Sequence, residues 1–225
     1  MTVKIFPTLY ALNKDEFETK LEKIKFSKNI HLDFMDGDFT PKKSVEFSEF
    51  KKISKLNNNF EVHIMGFEPL KYLSKIKLYG IRKVLVHVEI FQTLKEGVEI
   101  IDEFHKEDIE VFLVINPKTD VAELYPYLEN KKITGVMFMS VIPGKEGQKF
   151  LFLVIDKIRK INAEFPEVII QIDGGINDEN IEKIVAEKIK IDIFSVGSNI
   201  SSSKNPNRSY EILVGKIDNN LKSQN

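Results

Sequence analysis

His31-Leu32-Asp33-Phe34-Met35-Asp36-Gly37 alternates imidazole, carboxylate and thioether with apolar residues and then breaks at glycine. In an extended strand successive side chains point to opposite faces, so His31, Asp33 and Met35 share one face. Two metal-ligating side chains beside a soft apolar one mark a site rather than a core. The segment is also one of a series, and the series sets the fold.

Short apolar runs of strand character recur along the chain, with amphipathic, charge-rich segments between them. The pattern predicts strands over 4–6, 30–34, 60–64, 83–88, 109–115, 133–139, 168–172 and 191–196. Helices are predicted around Phe17, Leu21 and Ile24, then over 45–56, 68–76, 93–105, 121–128, 148–162, 178–186 and 210–221, with Asp120 as an N-cap. Strands that alternate with helices pair in parallel through right-handed crossovers, because the helix must return the chain to the same end of the sheet. Eight such units predict a single α/β domain over 1–225, a closed (β/α)8 TIM barrel with short loops. The alternative is an open doubly wound sheet, which normally carries a glycine-rich turn after its first strand. Here that turn reads Pro7-Thr8-Leu9-Tyr10, without glycine.

Composition narrows the classes of function. The 33 basic and 34 acidic residues nearly cancel, so there is no electrostatic case for a nucleic-acid partner. The absence of cysteine excludes disulfides and thiolate metal sites. No apolar run approaches the roughly 20 residues of a membrane span, and no secretory leader is read at the start of the chain. A soluble, cytoplasmic protein with no membrane partner is expected.

In a barrel of this kind the active groups sit at the C-terminal ends of the strands. His31 and Asp33 on the second strand, His63 on the third and Asp173 at the end of the seventh fall on that rim. Each alone could simply hydrogen-bond locally, but together two imidazoles and two carboxylates form a ligand set for one divalent metal ion, zinc first, or Mn, Fe or Co. A cation between two carboxylates suits proton abstraction next to a carbonyl, one carboxylate serving as base and the other as acid. No nucleophile is needed, and the chain has neither cysteine nor a Gly-x-Ser-x-Gly elbow. Met35, Met65 and Met139 end strands on the same rim, either as core filling or as an aprotic cap over the site.

Glycine-bearing loops follow the last two strands, Asp173-Gly174-Gly175-Ile176-Asn177 and Val196-Gly197-Ser198-Asn199. Loops at these places in a barrel hold phosphate through exposed backbone N–H groups, so a phosphorylated substrate is expected. The stretch from Ser140 to Gln148 reads as a lid or as an ordinary surface loop.

With these motifs in hand, the chain resembles the ribulose-phosphate 3-epimerase family over almost its full length. His31-Leu32-Asp33-Phe34-Met35-Asp36-Gly37, Val62-His63-Ile64-Met65, Met139-Ser140-Val141-Ile142-Pro143-Gly144 and Gln171-Ile172-Asp173-Gly174-Gly175 carry the resemblance. It implies an isomerase of carbohydrate metabolism in the pentose phosphate pathway, built on a ribulose-phosphate-binding barrel. The metal ligands would be His31, Asp33, His63 and Asp173, with Asp33 and Asp173 also the catalytic acid and base. They would invert C3 of a ketose phosphate, D-ribulose 5-phosphate to D-xylulose 5-phosphate, through a 2,3-enediolate. Gly175, Gly197 and Ser198 would receive the phosphate, Gly144 and Gly147 would contribute from the lid, and Thr8, His63 and the three methionines would face the substrate. A homo-oligomer is expected.

Two departures stand out. Thr8 replaces the family's common serine, and the lid reads Pro143-Gly144-Lys145-Glu146-Gly147-Gln148 in place of Pro-Gly-Phe-Gly-Gly-Gln. Lys145 would then bring a positive charge near the phosphate. Competing readings are an epimerase of a related sugar such as allulose 6-phosphate, and a non-catalytic barrel with an altered lid. Related barrels acting as decarboxylases or aldolases carry Asp-x-Lys on an early strand, where this chain has Asp33-Phe34-Met35.

Overall fold

The computed structural model describes residues 3–144 and 147–223. Eight strands succeed one another around an all-parallel barrel: β1 (Lys4–Leu9), β2 (Asn29–Met35), β3 (Asn59–Met65), β4 (Lys83–His87), β5 (Glu110–Ile115), β6 (Gly135–Met139), β7 (Ile169–Asp173) and β8 (Ile193–Val196). β8 pairs back onto β1, with Lys4 opposite Ile193 and Pro7 opposite Val196, so the sheet closes and the open doubly wound alternative is ruled out. Around it run α1 (Lys14–Ile24), α2 (Leu73–Leu78), α3 (Leu94–His105), α4 (Tyr125–Glu129), α5 (Val154–Glu164), α6 (Ile181–Ala186), α7 (Ser198–Ser201) and α8 (Pro206–Ser223).

Strands covered on both faces read as continuous apolar runs, and their alternation feeds two separate cores. One face, including Leu32, Phe34, Val62, Ile64, Val84 and Val86, packs under the helices against Phe17, Ile101, Phe104 and Ile158. The other fills the barrel interior with Phe6, Leu85, Phe112, Val114, Met137, Met139 and Ile193. Gly135 opens β6 because Phe112 occupies the space of its missing side chain: a Cβ there would lie 2.3 Å from the ring. Asn13, Thr93 and Asp120 cap α1, α3 and the 3-10 turn Val121–Leu124, each accepting a backbone N–H from the first turn.

Four helices differ from expectation, among them that over 121–128, which begins as the 3-10 turn Val121–Leu124 before α4. The segment expected as a helix over 45–56 is a 3-10 run, Phe47–Lys55, whose buried Phe47, Phe50 and Ile53 recur every three residues, the period at which 3-10 side chains eclipse. The helix over 68–76 begins as a 3-10 turn, Pro69–Tyr72, before α2. The helix expected from Gln148 starts only at Val154. Residues 148–151 are used otherwise, since Leu151 N–H bonds the Ser140 carbonyl and holds the segment against the rim. Among the described residues no helix is long and apolar enough to cross a membrane.

Candidate metal and proton-transfer centre

Strand register gathers the site. Thr8 lies opposite His31, and Asp33 opposite His63, so β1, β2 and β3 present these side chains side by side toward the barrel axis. Asp173 ends β7 on the same rim. One ligand atom from each of His31, Asp33, His63 and Asp173 lies within 4.8 Å of the others. Asp33 Oδ1 stands between the imidazoles, 3.3 Å from His31 Nε2 and 3.1 Å from His63 Nδ1. His31 Nε2 is buried and makes no hydrogen bond.

The far side of each ring is held. His31 Nδ1 is 2.6 Å from Glu61 Oε1, and His63 Nε2 is 2.9 Å from His87 Nε2. Glu61 also pairs with Lys83 and accepts from Gln171 Nε2, which reaches Ser195 Oγ at 2.8 Å. This polar layer under the cluster draws on β2, β3, β4, β7 and β8.

These contacts set the charges. Burial alone would lower the His31 pKa, but Asp33 and Glu61 beside it raise it to about 10 in the metal-free protein. Burial, against the pull of the Asp33 hydrogen bond, lowers His63 to about 4. Asp33 is held well below the usual carboxylate range: burial pushes it up, and the imidazoles of His31 and His63 on either side outweigh that. Asp173 is pushed up to about 7 by burial and by the negative charge of Asp33.

Above the cluster lies a cavity of about 70 Å³. Asp33 and Asp173 open into it, and Thr8, Met35, Met65, Met139, Gly144, Gly147, Gly175, Gly197 and Ser198 line its walls. His31 and His63 lie beneath, fully buried. Gly175 takes φ +65°, and a Cβ there would meet Phe150 N at 2.7 Å and Gln148 O at 2.8 Å, so the loop after β6 seats directly on the loop after β7. Lys145 and Glu146, the altered lid positions, lie outside the described residues.

Sequence reading left out Tyr10, Val141, Gln148 and Ile176 from the walls, and Glu61, His87 and Gln171 from the supports. A signal for the supports existed. Glu61 and Gln171 sit two residues before His63 and Asp173, hence on the same strand faces, and His87 ends β4 as the methionines end β2, β3 and β6.

Solved structures of similar shape include 3-hexulose-6-phosphate synthase from Salmonella typhimurium, with a TM-score of 0.72 at 15% identity over 97% of this chain and all of that one. At that identity the likeness concerns the barrel alone. Sequence relatives are more informative. Ribulose-phosphate 3-epimerase of Schizosaccharomyces pombe is 25% identical over 98% of this chain and 95% of its own length. The Aquifex aeolicus ribulose-phosphate 3-epimerase is 31% identical over 78% of each chain. The family model described as the ribulose-phosphate 3 epimerase family matches residues 4–201, from the first strand of the barrel through α7, and the chain therefore belongs to that family.

Proposed function

We propose that this protein epimerises a pentulose 5-phosphate at C3, interconverting D-ribulose 5-phosphate and D-xylulose 5-phosphate, with one divalent metal ion at the His31, Asp33, His63 and Asp173 cluster. The observation that carries the reading is the pairing of Asp33 and Asp173 in one cavity, with ligand atoms of His31 and His63 within 4.8 Å of theirs and, in the metal-free protein, the pKa values of the two carboxyls displaced in opposite directions. Carboxylates pushed apart in this way divide into a base and an acid.

The residues fit a metal. His31 Nε2 is a buried nitrogen without a hydrogen-bond partner, beside a second imidazole and two carboxylates. Such a donor set suits zinc, with Mn, Fe or Co as alternatives. When bound, the cation stabilises the negative charge that develops on the substrate oxygens.

The chain's own groups perform the proton transfers. Asp33, ionised, removes the C3 proton; the C–H electrons form the C2–C3 double bond and the carbonyl π pair moves to O2, giving a 2,3-enediolate. Asp173, protonated, returns a proton to C3 from the opposite face, and the carbonyl reforms with C3 inverted. The reverse reaction exchanges the two roles. Met35, Met65 and Met139 present thioethers that offer no competing proton, and Gly175, Gly197 and Ser198, with Gly144 and Gly147 of the loop, receive the phosphate through bare backbone. We read 1–225 as one functional unit, a view supported by the packing of α8 on α6 and α7.

Metal-loaded protein incubated with ribulose 5-phosphate in deuterium oxide should yield xylulose 5-phosphate labelled at C3, and chelation should stop the reaction until metal is restored. Folded, metal-loaded protein that gives neither product nor label refutes the proposal.

A further inference from the structure

Glu89 lies outside every role given so far, and His87 has entered only as the contact of His63 Nε2. His87 is fully buried, its ring packed against Phe39 with centroids 4.5 Å apart. Its Nε2 faces His63 Nε2 at 2.9 Å, and its Nδ1 faces Glu89 Oε2 at 3.0 Å. The other carboxylate oxygen of Glu89 accepts the Asn116 backbone N–H at 2.7 Å.

With a cation on the Asp33 side, donor and acceptor roles along this run are determined by its far end. Two ring nitrogens in hydrogen-bond contact share a single proton between them. An ionised carboxylate can only accept, so His87 carries its hydrogen on Nδ1 and presents the lone pair of Nε2 to His63. His63 must then donate from Nε2. Its Nδ1, the hydrogen-bond partner of Asp33 Oδ1 at 3.1 Å in the metal-free protein, then turns its lone pair to a cation in the cluster.

We propose that His87 and Glu89 are positioning residues: the run Glu89, His87, His63 fixes the Nε2–H tautomer of His63 and so makes Nδ1 its metal-ligating atom. The inference rests on the metal reading above. His31 is arranged in the opposite sense, with Nδ1 held directly by Glu61 and Nε2 facing the cluster. Each imidazole is thus oriented by a carboxylate at its back, one directly and one through a second ring, the kind of support that fixes tautomer and ligand basicity at metal sites.

Glu89→Gln is the informative variant because it preserves shape and reverses polarity. The Asn116 N–H is always a donor and takes the amide oxygen, which leaves the amide nitrogen to donate to His87 Nδ1. His87 must then donate from Nε2, and the proton of His63 is driven onto Nδ1, where it opposes a metal.

The test combines 15N NMR of histidine-labelled protein with Zn²⁺ titration against a chromophoric chelator. In Zn²⁺-loaded wild type, His63 should be protonated on Nε2 and His87 on Nδ1. Glu89→Gln should bind Zn²⁺ about 10- to 100-fold more weakly while the metal-free protein keeps its thermal midpoint. A bare Nε2 on His63 in the Zn²⁺-loaded wild type overturns the proposal, and this measurement needs no variant. Wild-type Zn²⁺ affinity in Glu89→Gln also overturns it, leaving the metal site intact. Wild type that binds no Zn²⁺, Mn²⁺ or Co²⁺ removes the metal reading and the relay together.

Discussion

Replacing Lys83 by methionine removes the countercharge of a carboxylate buried beneath the cluster. Glu61 is 2% exposed and the Lys83 side chain 13%. Lys83 lies over the Phe112 ring at 4.2 Å and near Phe6 at 5.3 Å, contacts that an unbranched thioether keeps in part, so the charge is the main variable. Two routes give the magnitude. Deleting one partner of a buried pair costs about 3–5 kcal/mol. Independently, burial would raise the Glu61 carboxyl, yet Lys83 and then His31 hold it down at about 2 against an ordinary 4.5. A carboxylate displaced that far is worth roughly 3 kcal/mol, of which Lys83 supplies a large share. Because Lys83 borders an open cavity at the barrel floor, where water tempers the loss, about 2–3 kcal/mol is expected. The pH dependence has a defined sign. A depressed carboxylate pKa contributes stability above its unfolded value, near 4.5, and loses it as pH falls toward about 2. The gap between wild type and Lys83→Met should therefore be widest near neutrality and close below pH 4.5. Urea unfolding of metal-free protein across this range measures it, with metal excluded because binding would add its own stabilisation. Adding Glu61→Gln to Lys83→Met should recover part of the loss. A gap at neutral pH within about 0.5 kcal/mol, or one that widens on acidification, would show that the pair does not stabilise the barrel as argued.

Three further outcomes are expected. Asp173→Asn should lower kcat by about 10²- to 10⁴-fold and abolish deuterium entry at C3; retained label would mean that another group delivers the proton. Gly175→Ala forces a side chain into φ +65° and against the backbone of Phe150 and Gln148. It should cost about 1–3 kcal/mol and raise KM for the phosphate ester, and unchanged kinetics would remove this loop from the phosphate. Gly135→Ala drives a methyl into the Phe112 ring; thermal unfolding should show a loss of about 1–3 kcal/mol, relieved when Phe112→Leu is added, and equal losses in both backgrounds would refute the steric account.

The barrel was legible because its signal is repetitive: eight apolar runs separated by amphipathic segments survive errors of a few residues at each boundary. The helices were less so, and for local reasons. A three-residue spacing at Phe47, Phe50 and Ile53 satisfies α-helical and 3-10 patterns alike. At 148–151, the hydrogen bond of Leu151 to Ser140, just past β6, decided against a helix that local pattern favoured. The cavity wall was readable as residues ending strands or following them, since period two alone assigns Asp33 and Met35 to one face. The supports were harder to see. Glu61, Lys83 and Gln171 are ordinary surface residue types, and only closure of the barrel turns their strand faces inward and brings β3 and β7 into contact through side chains. His87 was visible as a scarce histidine at a strand end, but nothing in the linear pattern pairs it with His63; that requires the β3–β4 register.

The difference between Asp33 and Asp173 follows from the same register rather than from the carboxylates. Asp33 lies opposite His63 on β3 and two residues from His31 on its own strand, so imidazoles flank it and favour its charge. Asp173 lies opposite Met139 on β6 and Ser195 on β8, neither of which can carry a positive charge. Its principal charged influence is Asp33 itself, which opposes a second ionisation. In the metal-free protein the two carboxyls of this cavity are therefore made unequal by which strands neighbour which. Met139 stands opposite Asp173 and adds no positive charge of its own, so in the metal-free protein the inequality of the two carboxyls is set by their neighbours.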